Sequence, residues 1–164
     1  MNPNATIKRQ HEKAISDRLL DLLNWKFNFV REGNDKNEPD MIYHDNGLVI
    51  GIEVTTNYLD KEHAKELWAI ARKEDYDHRN IVRMDIDNNA EKYALNAIYQ
   101  KAQKKYQNCN FYVLCVEVNN PLVGDISYIN DYLKTVIQDR WLDKGNFDQV
   151  YLIASTTNQI FRIF

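Results

Sequence analysis

The spacing of apolar residues along this chain of 164 residues predicts the order of its helices and strands. Apolar residues that recur every three or four positions predict helices, whereas alternating or continuous apolar runs predict strands. The predicted helices are 7–23, 61–73, 90–106 and a segment that follows Gly124-Asp125 and ends near Trp141. The predicted strands are 25–31, two within 38–56, then 111–118, 149–154 and 159–164; residues 1–6 are expected to fray and 74–89 to form an irregular connection.

The strongest local signal is the dipeptide Asn46-Gly47, which lies between two apolar runs. Asn-Gly in that setting predicts a two-residue hairpin turn with positive φ at both positions. Such a turn brings Asp40 opposite Glu53 and pairs residues 41–45 with 48–52.

The two faces of this hairpin differ in chemistry, because alternate residues of a strand point to opposite sides. One face is wholly apolar and is the predicted core side; it consists of Met41, Tyr43, Leu48, Ile50, Ile52 and Val54. The other face carries Asp40, Glu53 and Thr55, with Gly51 leaving space beside Ile42 for a ligand. Like charges placed opposite each other repel, so we expect a cation between the two acids. Mg²⁺ is commonly held by one or two carboxylates, with water and substrate phosphates as its other ligands.

These residues resemble the signature of a nuclease superfamily. Pro39-Asp40, twelve intervening residues and then Glu53-Val54-Thr55 at the end of an apolar strand are similar to the Pro-Asp pair, variable hairpin and acid-x-Lys of the PD-(D/E)XK nucleases. The resemblance implies Mg²⁺, replaceable by Mn²⁺, held by Asp40, Glu53 and the main-chain carbonyl of Val54. Thr55 stands where the signature has lysine. Either the lysine has moved to another element, or this chain has lost catalysis.

The first predicted helix carries a second candidate acid. Glu12 lies three residues before Ile15 and seven before Leu19, on the apolar stripe, where an unpaired carboxylate is costly. The resemblance implies that Glu12 completes the metal site by orienting a ligand water. As an exposed acid in the first helical turn it would instead favour the helix N-terminus, and both interpretations stay open.

Lys101 is the candidate for the displaced lysine, with Lys105 second and Lys104 third. Lys101 flanks the apolar stripe of the predicted helix 90–106, so its stem can lie along the core and its ammonium can reach carboxylates on the adjoining sheet. The pattern Ala97-Ile98-x-x-Lys101-Ala102 resembles the helix after the catalytic strand in superfamily members that lack the lysine on that strand. In this interpretation Thr55, Lys105 and Lys104 are candidate contacts to substrate phosphate. Alternatively, the three lysines form an ordinary positive helix C-terminus.

Composition limits the alternatives without deciding among them. The net charge of −3 gives no overall basic footprint, although only the binding groove of a nuclease needs positive potential. Cys109 and Cys115 lack zinc-ligand spacing and are expected to be unpaired thiols. The sequence contains no GxSxG, HExxH or P-loop motif. Because no signal peptide or membrane-length apolar run is seen, we expect a cytoplasmic protein without a membrane partner.

The element order predicts an α/β fold in which helices sandwich a mixed sheet and the strands at 110–118 and 149–154 run parallel with a right-handed crossover. It agrees with the fold that the resemblance implies: a restriction-endonuclease-like three-layer α/β/α sandwich with an αβββαβ core, here as one domain over residues 1–164. The expected function is metal-dependent endonucleolytic cleavage, with DNA favoured over RNA and a homodimer as an option. The alternative is a catalytically inactive nuclease fold that binds nucleic acid or another protein.

Overall fold

The computed structural model describes residues 3–34, 36–58, 90–119, 124–139 and 143–164. Its helices are α1 (Pro3–Leu22), α2 (Ala90–Ala102) and α3 (Ser127–Gln138). Its strands are β1 (Asn28–Glu32), β2 (Met41–Asp45), β3 (Leu48–Tyr58), β4 (Phe111–Asn119), β5 (Gln149–Ala154) and β6 (Ile160–Arg162). The predicted helix 61–73 and the connection 74–89 lie outside the described residues.

The six strands form one mixed sheet in the order β1-β2-β3-β4-β5-β6. β3, β4 and β5 are parallel, and the other neighbouring strands are antiparallel. The predicted parallel pairing of β4 with β5 is therefore confirmed. The predicted hairpin register is also confirmed, since residues 41–45 pair with 48–52. Asn46 and Gly47 have φ angles of 47° and 84°, as a two-residue turn of this type requires.

Helices cover both faces of the sheet. The apolar face predicted for the hairpin packs under α1, in a cluster that contains Ile15, Leu19, Leu20, Met41, Tyr43, Ile50, Ile52 and Val54. The opposite face packs under α2 and α3, through Ala94, Ile98, Ile129, Leu133, Leu114, Val116 and Leu152. Leu48, which was predicted to belong to the core side, is 40% exposed because it lies at the hairpin turn. The result is an α/β arrangement compatible with a three-layer sandwich.

Several boundaries differ from the predicted ones. α1 begins at Pro3, so residues 3–6 are helical rather than frayed; proline is favoured in a first helical turn because its missing N–H has no intrahelical acceptor there. β1 begins at Asn28 instead of residue 25. Trp25 precedes it and packs edge-on against a set of aromatic rings, those of Phe27, Phe111 and Tyr151.

α2 ends at Ala102, four residues earlier than predicted. The Lys104 amide donates to the Lys101 carbonyl at 3.0 Å, which tightens the last turn. The backbone of Gly145 lies against this helix end, since a Cβ built there would be 2.2 Å from the Ala102 carbonyl oxygen. The loop before β5 therefore fixes the end of α2, and with it the position of Lys101.

Both cysteines are free thiols, as predicted, and Cys115 is fully buried in β4. Burial raises the pKa of the Cys109 thiol to about 11. Within the described ranges, no helix is long and apolar enough to cross a membrane.

The space expected beside Gly51 is filled, so the prediction of an open approach there is wrong. A Cβ at Gly51 would lie 2.3 Å from Pro39 Cγ and 2.9 Å from Cys109 Sγ. The missing side chain instead allows Pro39 to pack directly on the backbone of β3. Gly51 thus allows the Pro39-Asp40 segment, which contains the first candidate acid, to pack against β3.

We predict that Gly51→Ala lowers the free energy of unfolding by about 1–3 kcal/mol, because Pro39 must move. Urea denaturation monitored by circular dichroism measures the change. Gly124→Ala is the matched control, since a Cβ there meets no atom within 4 Å. Equal stability of the two variants would contradict the packing role of Gly51.

Candidate functional site

The two predicted acids meet where β2 begins. Asp40 directly precedes β2, and Glu53 lies in β3. The Asp40 amide donates to Glu53 Oε2 at 3.2 Å, and the Val54 amide donates to Asp40 Oδ2 at 2.9 Å. Asp40 is 9% exposed and Glu53 is 2% exposed. Because the amide and carbonyl of one strand residue point to the same side, the Val54 carbonyl also faces the β2 side of β3.

A partly exposed ion pair holds the loop that places Asp40. Arg31 donates two hydrogen bonds to Glu38, at 2.8 and 2.7 Å, and Asn108 donates a third at 2.8 Å. The Asn34 amide adds a fourth at 3.0 Å. The hydrogen bonds from Arg31 and then Asn108 lower the pKa of Glu38 to about 2. Glu38 therefore stays ionised at neutral pH and fixes the chain two residues before Asp40.

The structure brings Lys101 from α2 onto the acid pair. Its ammonium nitrogen lies 2.5 Å from Glu53 Oε1, and the ammonium of Lys104 lies 3.5 Å from the same oxygen. Lys105 is exposed and makes no ion pair with the described residues. Lys101 is thus the nearest of the three predicted lysines, and Lys104 rather than Lys105 is second.

Glu12 is buried on the sheet side of α1, with 4% of its surface exposed. The interpretation of Glu12 as an exposed acid in the first helical turn is therefore wrong. Lys8 lies 3.0 Å from its Oε1 atom. The Arg9 guanidinium bridges Glu12 and Asp40, with Nη1 3.7 Å from Glu12 Oε2 and 3.9 Å from Asp40 Oδ1. Glu12 therefore belongs to the same charge cluster as Asp40.

Burial and the neighbouring carboxylates make a negative charge on Asp40 costly. Burial, and then the charges of Glu53 and Glu12, raise the pKa of Asp40 to about 7. The Val54 amide and the Lys101 ammonium act in the opposite direction without cancelling this effect. The site therefore favours an additional positive charge, whether a proton or a metal ion.

The donor set fits a partly hydrated cation. In the part of the chain that the structure describes, no group of three or more His, Cys, Asp or Glu side chains is placed to hold a metal ion. The smaller set of Asp40, Glu53 and the Val54 carbonyl supplies the oxygen ligands that Mg²⁺ prefers, and Mg²⁺ usually keeps several waters. Glu12 Oε2 is buried and makes no hydrogen bond to the described residues, which suits an acceptor for one of those waters.

Thr55 is half-buried two residues beyond Glu53 on the same strand, paired in register with Val116. Alternation along β3 gives Thr55 the same face as Glu53. Its hydroxyl can hydrogen-bond, but it cannot supply the positive charge of a lysine.

A second polar cluster lies between α1 and the ends of the parallel strands. Glu117 of β4 is 2% exposed and accepts hydrogen bonds from three side chains, those of His11, Thr56 and Ser155, each at 2.9 Å. The hydrogen bond to Glu117 raises the pKa of His11, against the effect of burial. Burial opposes ionisation of Glu117, but the bonds from its partners lower its pKa overall. This network ties α1 to the sheet one residue before Glu12.

Sequence reasoning did not identify this network or the role of Arg9. The one usable signal was Glu117 itself, a carboxylate inside the apolar run 111–118, which has to find partners when buried. Which residues supply them depends on how α1 crosses the sheet, and local patterns do not contain that information.

We predict that Asp40→Asn stabilises the metal-free protein at pH 8 by on the order of 2 kcal/mol. A raised pKa means that ionised Asp40 is penalised in the fold, so the penalty is complete above about pH 7 and absent below the ordinary value of 3.8. Urea denaturation in EDTA at pH 8 and pH 4 measures the difference. The exposed Asp21→Asn is the control, and a gain of the same size at both pH values would refute the explanation.

We predict that His11→Gln costs about 3 kcal/mol between pH 5 and 6, because buried Glu117 loses its charged partner. The stabilising effect of His11 is fully present below its ordinary pKa of 6.5 and is lost as the pH rises through its higher folded value. The stabilising effect of Glu117 is fully present above its ordinary pKa of 4.5 and is lost as the pH falls through its lower pKa in the folded protein. Unfolding free energies across pH 4 to 9, with the exposed His44→Gln as control, measure the window. A loss of unfolding free energy that does not change with pH would contradict the ion-pair interpretation.

Comparison of the chain with protein-family models, with curated proteins and with solved structures finds no match, so the interpretation of this site depends on its geometry and on the sequence motif.

Proposed function

We propose that this chain is a Mg²⁺-dependent endonuclease of the restriction-endonuclease-like type that hydrolyses phosphodiester bonds, with DNA as its substrate. The observation that carries the proposal is the 2.5 Å contact between Lys101 and Glu53. The ammonium of Lys101 comes from α2 and lies at the Glu53 carboxylate. This contact supports the proposal that Lys101 substitutes for the lysine missing from the Glu53-Val54-Thr55 motif.

The element order supports the fold assignment. Among the described elements, α1, the three strands β1 to β3, α2 and β4 occur in the order αβββαβ. The paired acids lie on the central hairpin of that unit, and the lysine comes from the helix before its last strand.

In the proposed mechanism, Asp40, Glu53 and the Val54 carbonyl would hold the ion. Bound Mg²⁺ would lower the pKa of a ligand water and offset charge on the phosphoryl oxygens. Glu12 would accept a hydrogen bond from a ligand water and thereby orient it; its buried Oε2 atom supports this role. Arg9 keeps Glu12 and Asp40 in their relative positions.

Lys101 stabilises the charge that develops on the phosphate during hydrolysis. An ammonium has three donors, which it can direct to phosphate oxygens. Lys104, the next nearest cation, together with Lys105 and Thr55, contacts the flanking phosphates. Homodimerisation would allow both strands of a duplex to be cut, because a two-fold protein matches a two-fold substrate.

The competing candidate is an inactive nuclease fold that binds nucleic acid or protein. Two observations favour it. Lys101 already balances Glu53 as a buried ion pair, and no three-ligand metal group occurs within the described ranges. Metal-dependent activity is the property that separates the two candidates.

We predict that the wild-type chain nicks supercoiled plasmid in Mg²⁺ or Mn²⁺. Asp40→Ala and Lys101→Ala should each reduce the rate by at least about 10²-fold, because the first removes a ligand of the ion and the second removes an ammonium that offsets charge on the phosphate. Lys92→Ala, an exposed lysine on the same helix, is the matched control and should keep wild-type activity.

Retained activity in Lys101→Ala with loss in Asp40→Ala would keep the nuclease and move the role to Lys104 or Lys105. Absence of metal-dependent cleavage of DNA, and of RNA in a parallel assay, would refute the enzyme and favour the binding module.

A further inference from the structure

Tyr106 lies in the segment that connects α2 to β4, in the core cluster that α2 covers. It is 9% exposed. Its ring packs against those of Phe147 and Tyr112, at centroid distances of 5.3 and 6.1 Å. Two aromatic contacts and burial hold the ring in one place, so the direction of its hydroxyl group is also fixed.

The Tyr106 hydroxyl is buried beside Glu53 without a fully formed hydrogen bond. The oxygen meets no partner in good hydrogen-bonding geometry among the described residues. Burial, then the charge of Glu53 and a hydrogen-bonding interaction with its carboxylate, raise the pKa of Tyr106, with a smaller effect of Asp40. The Glu53 carboxylate is therefore within reach of the hydroxyl, although the two groups are not aligned as a well-formed hydrogen bond. A buried hydroxyl without a partner costs about 1–3 kcal/mol, so a conformation that satisfies it is favoured.

Other groups hold Glu53 in this structure. Lys101 and Lys104 approach its Oε1 atom, and the Asp40 amide donates to Oε2. A divalent cation on the same carboxylate would repel both ammonium groups. A neutral hydroxyl donor would not be repelled, and it would support the carboxylate without competing for the ion's charge.

We propose that Tyr106 is a positioning residue for Glu53, and that its hydroxyl donates a hydrogen bond to the Glu53 carboxylate when that carboxylate turns to bind the metal ion. The role rests on the proposed metal site. It explains how one lysine serves two partners: Tyr106 takes over the support of Glu53, and Lys101 becomes available for phosphate. The residue acts through Glu53 and does not touch the substrate.

The test combines Mn²⁺ affinity with stability, because only the affinity is expected to fall. Tyr106→Phe keeps the ring and removes the hydroxyl. We expect Mn²⁺ binding, followed by the electron paramagnetic resonance signal of free Mn²⁺, to weaken roughly tenfold. The urea midpoint in EDTA should be unchanged or higher, because a hydroxyl without a partner has been removed.

Tyr112→Phe is the matched control. The Tyr112 hydroxyl accepts the Cys109 amide at 3.1 Å, so its removal should lower the urea midpoint and leave Mn²⁺ affinity at the wild-type value. Unchanged Mn²⁺ affinity in Tyr106→Phe, with binding by the wild type, would overturn the role of Tyr106 alone. A lower urea midpoint in EDTA with unchanged affinity would assign Tyr106 to the core. Failure of the wild type to bind Mn²⁺ at millimolar concentration would overturn the proposed metal site and this role together.

Discussion

The placement of two carboxylates against each other is the constraint on which the rest of this structure depends. The hairpin register leaves Asp40 and Glu53 in contact through the Asp40 amide, and burial makes their charges costly. The fold compensates with cations from both helical layers, Arg9 from α1 and Lys101 from α2. Each face of the sheet therefore contributes to the electrostatic balance at one point on the hairpin.

The hairpin could be predicted from sequence because its information is local. Asn46-Gly47 defines the turn, the turn defines the register, and the register places the acids and the apolar face. Lys101 could be nominated from helical periodicity, since its helix had to cover the adjoining strands. The order of the neighbouring lysines could not be predicted, because it depends on where α2 ends. That end is fixed by Gly145, more than forty residues along the chain.

Contacts between distant segments account for the remaining failures. A carboxylate within an apolar strand, Glu117, indicated that hydrogen-bond partners were required. The sequence did not show which residues they are, because His11 lies 106 residues away and Ser155 lies 38 residues away. The space beside Gly51 was expected to admit a ligand, yet Pro39 and Cys109 occupy it. Alternation along a strand tells which face a residue shares, but it does not tell what covers that face. Such covering contacts are set by the docking of whole elements.

The difference in sequence distance between the acids and their cations has a consequence for folding. Asp40 and Glu53 meet through a short loop, whereas Lys101 reaches Glu53 across 48 residues. Short loops close first, since closure entropy grows with loop length. On this ground we expect the hairpin to bring its acids together before α1 and α2 dock and offset their repulsion. Because neither helix balances the pair alone, the docking of each helix should favour the docking of the other.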